Sequence, residues 1–411
     1  MSGRPPGFAV RLAAVAAAGA GVRALYLLTL GRDVTGIGDW HFYHRQANLI
    51  ADGMGFVDPF QLDLGNDGPS AGHPPLYPLV LSFLSRLGAT GTLSHRALGI
   101  VLGALTIVLV GLLGRRLGGD RLGLAAAAVA AAYPVFVAVD GALMSETLYS
   151  PLVAGILLSA LALLRRPALG LAALLGVLIG LAALTRSEAL LFVPLLALPV
   201  ALTRPRGRVA LAAVATVACV LTVAPWTVRN AVRFDRLIPI STNDATVLAG
   251  ANCGLTYSGN DLGAWNIRCI SERRFRDEAR QAEVWREEGL AYARDHAGRL
   301  PAVAAVRLLR VWDLWQPRRQ LEFAEGRHRG TQQAGIAVYF LLAALALFAL
   351  FALRRRWPRA ELLVIVAPVA MVCLTAVTGY GVSRLRHAVE LPLVVMAAAG
   401  ALLLVDRWRA R

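Results

Sequence analysis

The sequence predicts an all-α polytopic membrane protein of about ten transmembrane helices, with interfacial helices and one large hydrophilic outer loop. Three observations predict it. The 411 residues are 57% hydrophobic with a mean hydropathy of +0.57, a value a soluble chain of this size rarely reaches. Apolar runs of span length recur along the whole chain. Arginine clusters fall in alternate connections between those runs.

The runs lie at 8–30, 95–117, 121–139, 143–164, 168–185, 189–203, 209–226, 333–353, 360–378 and 387–405. The first run can also be read as a secretory signal, because Arg4 and Arg11 precede an alanine-rich stretch. Arg23 interrupts that run, which Leu25-Tyr26-Leu27-Leu28 then carries to full span length. The run 75–87 is too short to cross and reads as an interfacial or re-entrant helix.

The formal charge is +16, with 42 basic residues that are all arginine. This usage, with abundant Ala, Leu, Val and Gly, reads as that of a bacterium with a G+C-rich genome. A basic chain can mark nucleic-acid binding, but these arginines sit between apolar runs and read as topology signals, so no nucleic-acid partner is expected. The clusters are Arg115/Arg116, Arg165/Arg166, Arg204/Arg206/Arg208, Arg354/Arg355/Arg356 and Arg407/Arg409/Arg411. All fall on the side of the N-terminus. The positive-inside rule then places both termini in the cytoplasm of a bacterial cell (inner) membrane. Segments 31–94, 140–142, 186–188, 229–332 and 379–386 face outward. The chain divides into an N-terminal transmembrane module (1–228) whose first outer loop is 31–94, an extracytoplasmic loop domain (229–332), and C-terminal transmembrane helices (333–411).

Candidate chemistry gathers on the outer face. Asp39 opens a predicted short helix, 39–52, stopped by Gly53, with Trp40, Tyr43, Ala47 and Ile50 at helical spacing. A carboxylate at the membrane rim is costly without a role; Asp39 reads as a helix N-cap or as a general base. His41 and His44 share a helix face and read as interfacial histidines or metal ligands. His73 precedes Pro74 and Pro75, which fix a basic side chain at the membrane edge, for a lipid phosphate or as part of a turn. Glu146, and the pair Arg186 and Glu188, stand at the outer ends of spans, as active-site groups or as solvated rim residues. Arg384 and Arg386 lie on the outer face against the arginine bias, which favours phosphate binding. No cofactor is required by these residues, no metal site is assigned, and a divalent cation is left open.

Cys219 and Cys373 lie in apolar runs and read as packing residues. Cys253 and Cys269 share the large outer loop, where a disulfide can form and persist; two free thiols is the other reading. No C-x-x-C pair occurs. The stretch 271–315 reads as helical, a cap over an outer cavity.

Several of these pieces, in order, resemble the GT-C glycosyltransferases, in particular the branch with the protein O-mannosyltransferases and the lipid A aminoarabinose transferases. They are Asp39 with Tyr43, His73-Pro74-Pro75-Leu76-Tyr77-Pro78, Met144-Ser145-Glu146-Thr147-Leu148, Gly180-Leu181-Ala182-Ala183-Leu184-Thr185-Arg186, Pro225-Trp226-Thr227-Val228-Arg229-Asn230, and Arg384-Leu385-Arg386. The resemblance implies a GT-C fold and a polyprenyl-phosphate sugar donor held among membrane lipids. It also implies an outward-facing active site and a catalytic role for Asp39. His73 stands where relatives often have lysine, and Trp40 where many have a second acidic residue. On this reading the chain is an inverting glycosyltransferase with Asp39 as base, and His73, Arg384 and Arg386 on the donor phosphate. Tyr43, Glu146, Arg186 and Glu188 are further active-site candidates. A polytopic transporter or lipid flippase, a scaffold without chemistry, and an O-antigen-ligase-like transferase with a pyrophosphate-linked donor are the competing readings. The sugar and the acceptor are not specified by the sequence.

Overall fold

The computed structural model describes residues 7–32, 38–203, 207–271, 275–322, 325–355 and 357–410. Arg4, Arg204, Arg206, Arg356 and Arg411 lie outside the described residues. Those described form helices and connecting loops, with one isolated bridge between Val57 and Pro69.

The helices are α1 (Phe8–Leu28), α2 (Asp39–Ala51), the one-turn α3 (Pro59–Leu62), α4 (Leu76–Arg86), α5 (Thr92–Ala132), α6 (Pro134–Asp140), α7 (Glu146–Arg165) and α8 (Leu169–Ala183). They continue with α9 (Leu198–Leu202), α10 (Arg208–Phe234), α11 (Asn243–Ala251), α12 (Glu278–Asp295), α13 (Leu300–Val311), α14 (Pro317–Gln320), α15 (Arg329–Leu353), α16 (Arg359–Thr378) and α17 (His387–Arg409). Among the described residues, seven helices are long and apolar enough to cross a membrane, α5 being one of 41 residues.

Helix α5 is two passes in one. Gly118 and Gly119 leave helical geometry, Gly119 at φ +80°, which glycine adopts without the Cβ penalty. The chain folds back there, and Gly111 packs against Ala127 and Gly123. The second limb breaks again at Tyr133, because Pro134 restricts the residue before it, and resumes as α6. The segment Ser187–Leu202 is equally irregular. It passes from a 3-10 turn through a π turn into α9 across Pro194 and Pro199, which remove backbone donors. With this segment, the shorter apolar α8 and the folded α5, the described residues hold ten apolar passes, and the chain is a multi-pass membrane protein.

Small residues set the helix spacing, as expected where lipid supplies no hydrophobic drive between helices. A Cβ on Gly176 of α8 would strike the backbone of α10, one on Gly180 the Thr222 side chain of α10, and one on Gly400 of α17 the backbone of α15. Arg23, 1% exposed within α1, donates to Asp140 at 2.6 Å and to the carbonyls of Gly19 and Ala131. Gly103 leaves the space for this pair. A buried charge is tolerated only when paired in this way, and the interruption of the first run is a tie between α1 and α6.

Helix α4 does not cross; it packs against α2, burying Tyr77 and Leu81 against Phe42, Tyr43 and Ala47. In the segment between α10 and α15, α11 and α12 pack together, Gly289 lying on the backbone of Leu248. Cys253 and Cys269 form a disulfide, with Cα atoms 5.8 Å apart. Arg307 donates to the carbonyls of Ala251 and Val377, and the Gly381 amide to the Gly263 carbonyl, so these loops are fastened to the end of α16.

Candidate active site

The helix start at Asp39 is built from Gly38, which holds the N-cap position without a side-chain cap; Asp39 is the first residue of α2. Its carboxylate leaves the helix end for Arg384, at 2.7 Å from the guanidinium Nη1. Arg384 lies in the short turn Ser383–Arg386 that leads into α17.

Around Arg384 runs a chain of alternating charge. Its Nε donates to Glu146 Oε1, and its Nη1 to Glu325 at 3.2 Å. Glu146, 1% exposed at the first turn of α7, also accepts from Arg186 at 2.9 Å. Arg186 in turn donates to Glu188 at 2.6 Å. Every carboxylate here is thus met by a guanidinium, which a low-dielectric site requires. Arg384 fills the space between Asp39, Glu146 and Glu325. Among the described residues no group of three His, Cys, Asp or Glu is arranged to hold a metal ion.

Enclosure raises the Asp39 carboxyl, but the neighbouring basic groups, Arg384 first and then His73, together hold Asp39 below the usual carboxylate range. Glu325 moves the other way, raised by burial that Arg384 only partly offsets. Two carboxylates therefore share one guanidinium nitrogen.

His73 is set by both neighbouring prolines and by a belt of backbone contacts. The Ala71 amide donates to Glu278 of α12 at 2.8 Å, and Ser241 donates to the Gly72 carbonyl at 2.9 Å. Arg229 of α10 donates to the Ser70 carbonyl at 2.9 Å. The ring packs 4.3 Å from Phe42, with Nδ1 3.5 Å from the Tyr43 hydroxyl. Burial lowers the pKa of His73, so it meets a ligand as a neutral imidazole and a hydrogen-bonding group at neutral pH.

A cavity of about 800 Å³ joins Asp39, Tyr43, His73, Arg186, Glu188 and Arg384. Glu146 stands behind it, bridging Arg186 and Arg384. Arg386 is not part of it. That side chain is 3% exposed, donates to Asp313 at 2.9 Å and Glu390 at 2.6 Å, and stacks 3.5 Å over the Tyr339 ring. The two neighbouring arginines point to different surroundings because the 3-10 turn rotates successive residues about 120° apart. His41 stacks on Trp40, while His44 Nδ1 lies 3.1 Å from His95 Nδ1, away from the cavity.

Sequence reasoning missed Glu325, Tyr380 and Ser145. Glu325 carries the one usable signal, an outer-rim carboxylate just ahead of a span. The outer part of the cavity is lined by Arg236, Asp244, Glu283 and Arg286, whose ion pairs Arg236–Glu283 and Arg286–Asp244 are each 2.9 Å. Nothing in local pattern marked these.

The helices form a multi-pass membrane protein whose fold is that of the GT-C proteins it aligns with. Residues 72–228 match the model of the dolichyl-phosphate-mannose-protein mannosyltransferase family. The chain aligns over 98% of its length with an archaeal oligosaccharyltransferase, AglB from Archaeoglobus fulgidus in complex with an inhibitory peptide and a dolichol-phosphate, at TM-score 0.60 and 15% identity. A second crystal structure of the Archaeoglobus fulgidus oligosaccharyltransferase, with zinc and sulfate, aligns at TM-score 0.58 and 16% identity, covering 97% of this chain and 49% of that one. ArnT from Cupriavidus metallidurans bound to undecaprenyl phosphate aligns at only TM-score 0.45 and 15% identity, covering 96% and 77%. The chain spans about half the length of AglB, 51%. No curated protein matches it by sequence.

Proposed function

We propose that the chain is an inverting membrane glycosyltransferase that moves a sugar from a polyprenyl-phosphate donor to an acceptor outside the cytoplasm of a bacterial cell. The observation that carries this reading is the joining of Asp39, His73 and Arg384 in one cavity at one end of a GT-C fold. The family match over residues 72–228 and the alignment with a dolichol-phosphate complex support sugar transfer rather than a transporter or flippase.

The chemistry follows from the groups present. A lipid phosphate is already a good leaving group, so no general acid is needed. Asp39 takes the acceptor hydroxyl proton as that oxygen bonds to the anomeric carbon. The bond from that carbon to the phosphate oxygen breaks, its electron pair leaves with the phosphate, and attack from the opposite side inverts the centre. Arg384 and Arg186 stabilise the charge that gathers on the departing phosphate, and His73 donates a hydrogen bond to it. Glu146 positions both arginines, and Tyr43 orients His73. Arg386 fixes the turn that presents Arg384.

The cavity faces the outside, with both termini in the cytoplasm. Arg115, Arg165, Arg354 and Arg407 stand at the opposite ends of the spans, where the positive-inside rule places the cytoplasm. Profiling lipid-linked sugars in a strain lacking the protein tests the reading. An accumulating polyprenyl-phosphate sugar is expected and identifies the donor. An unchanged profile, with purified protein releasing no polyprenyl phosphate from that extract, would overturn it.

A further inference from the structure

A second cavity lies at the other end of the helices. It has a volume of about 610 Å³ and sits between the first limb of α5 and α8, over α7. Its floor is one helical face of α7, where Gly155, Ser159 and Ala162 carry almost no side-chain bulk. A Cβ on Gly155 would come within 3.3 Å of Leu178, so the missing side chain accounts for part of the depth. The walls are apolar and open sideways, with Leu112 36% and Leu174 46% exposed. In a spanning helix bundle such exposure faces acyl chains, not water.

The mouth has the opposite character. Arg115, Arg116 and Arg165 converge on it. Arg115 pairs with Asp120 at 2.7 Å, and Arg165 with Glu361 at 3.3 Å while also donating to the Arg116 carbonyl at 2.8 Å. The Arg116 side chain has no acidic partner among the described residues, so the mouth keeps a net positive charge. An apolar trough ending in unbalanced arginine at the headgroup level matches one amphiphile: apolar chains joined to a phosphate anion.

We propose that this groove is a binding site for an anionic glycerophospholipid of the leaflet opposite the Asp39 cavity. Basic pockets between transmembrane helices on the cytoplasmic side select such headgroups. The polyprenyl-phosphate of the transfer reaction is not the occupant. Phosphate held at this mouth is separated from Asp39 by a bilayer core of about 30 Å. The proposal does not depend on the transferase reading.

Native mass spectrometry of the full chain, released from nanodiscs of equal phosphatidylglycerol and phosphatidylcholine, tests it. Retained phosphatidylglycerol is expected to exceed phosphatidylcholine, and each mouth arginine removed should reduce that excess about fivefold. Arg116→Gln and Arg165→Gln alter exposed side chains and should leave the fold intact. Arg354→Gln, at the same membrane face and stacked on Phe351, serves as the control and should change nothing. Gly155→Leu, which fills the floor, should reduce retention of both lipids. Equal retention of the two lipids by the wild type, or an excess that survives both mouth variants, overturns the proposal. So does undecaprenyl phosphate displacing phosphatidylglycerol from the wild type but not from Gly155→Leu.

Discussion

Asp39 and Arg384, the proposed base and the proposed phosphate ligand, are bound to each other. A carboxylate held in an ion pair is a weak base, and an arginine held by three carboxylates is a poor phosphate ligand until one lets go. Glu146 and Glu325 are each also paired with a second arginine, Arg186 and Arg327, whereas the ion pair of Asp39 is with Arg384, so Asp39 is the partner that an entering phosphate displaces. Donor binding would then release the base and raise its pKa in one step. The sign is testable. The acid limb of kcat, which reports the donor complex, should lie at higher pH than that of kcat/KM, which reports the free enzyme; coincident limbs would argue against the exchange. Asp39→Asn keeps size and helix-start chemistry but cannot accept the proton, so transfer should slow at least about a hundredfold while donor still binds. A near-wild-type rate would remove Asp39 as the base and turn attention to Glu325, which shares the same guanidinium nitrogen. The arginine pair separates cleanly too. Arg384→Ala should weaken donor binding by about 2–3 kcal/mol, the loss of a charge-assisted bond. Arg386→Ala should instead cost about 3–5 kcal/mol of stability, because Asp313 and Glu390 are left buried without their cation, measured as a fall in thermal midpoint. The sequence placed both arginines on the outer face but could not separate them, since a turn of unknown type gave no side-chain directions.

Individual helices were the most legible level. Apolar runs set at span length found the passes because the bilayer imposes a length that local sequence must satisfy. What the runs could not show was geometry inside a pass: the break at Tyr133–Pro134, and the 3-10 to π to α succession of Ser187–Leu202. Proline positions hinted at both, but neighbouring helices decide how freed carbonyls are satisfied. In the segment between α10 and α15, short helices are stapled by Cys253–Cys269 across 16 residues. Closing a loop of that length restricts the unfolded chain by about 3 kcal/mol in the chain-entropy description. Cys253→Ser should therefore lower the unfolding midpoint, and reductant should lower the wild type to the same point without affecting the variant. If reductant leaves the wild type unmoved, the bond contributes nothing to stability. The staple matters to the site because the chain that follows it supplies Glu278, whose carboxylate holds the Ala71 amide two residues before His73.

Across the whole molecule, the cavity is made by residues that local sequence keeps far apart. Asp39 comes from the first connection, Arg186 from a later one, and Arg384 from the turn before α17, and none of these spacings announces contact. The alternation of arginines carried the one global signal available, that five connections belong to one face. The cavity agrees in geometry: it draws on the segments around Asp39, Ser145, Arg186, Asn243 and Gly379 together. At the other end, Arg165 donates to the Arg116 carbonyl and Arg121 to Asp406, so the basic connections gather there as a second group. Two faces are thus separated by the fold alone, and the positive-inside rule assigns the arginine-rich one to the cytoplasm. Reporter fusions give the decisive measurement. A fusion at Ser258, in the disulfide-bearing segment, should be active only outside the cytoplasm, and one at Arg355, between α15 and α16, only inside it. Inversion of both signals would keep the fold but reverse the site, placing the sugar donor in the cytoplasmic leaflet. The same compartment for both would break the alternation itself, because α15, the candidate span between the two fusions, would then not cross the bilayer.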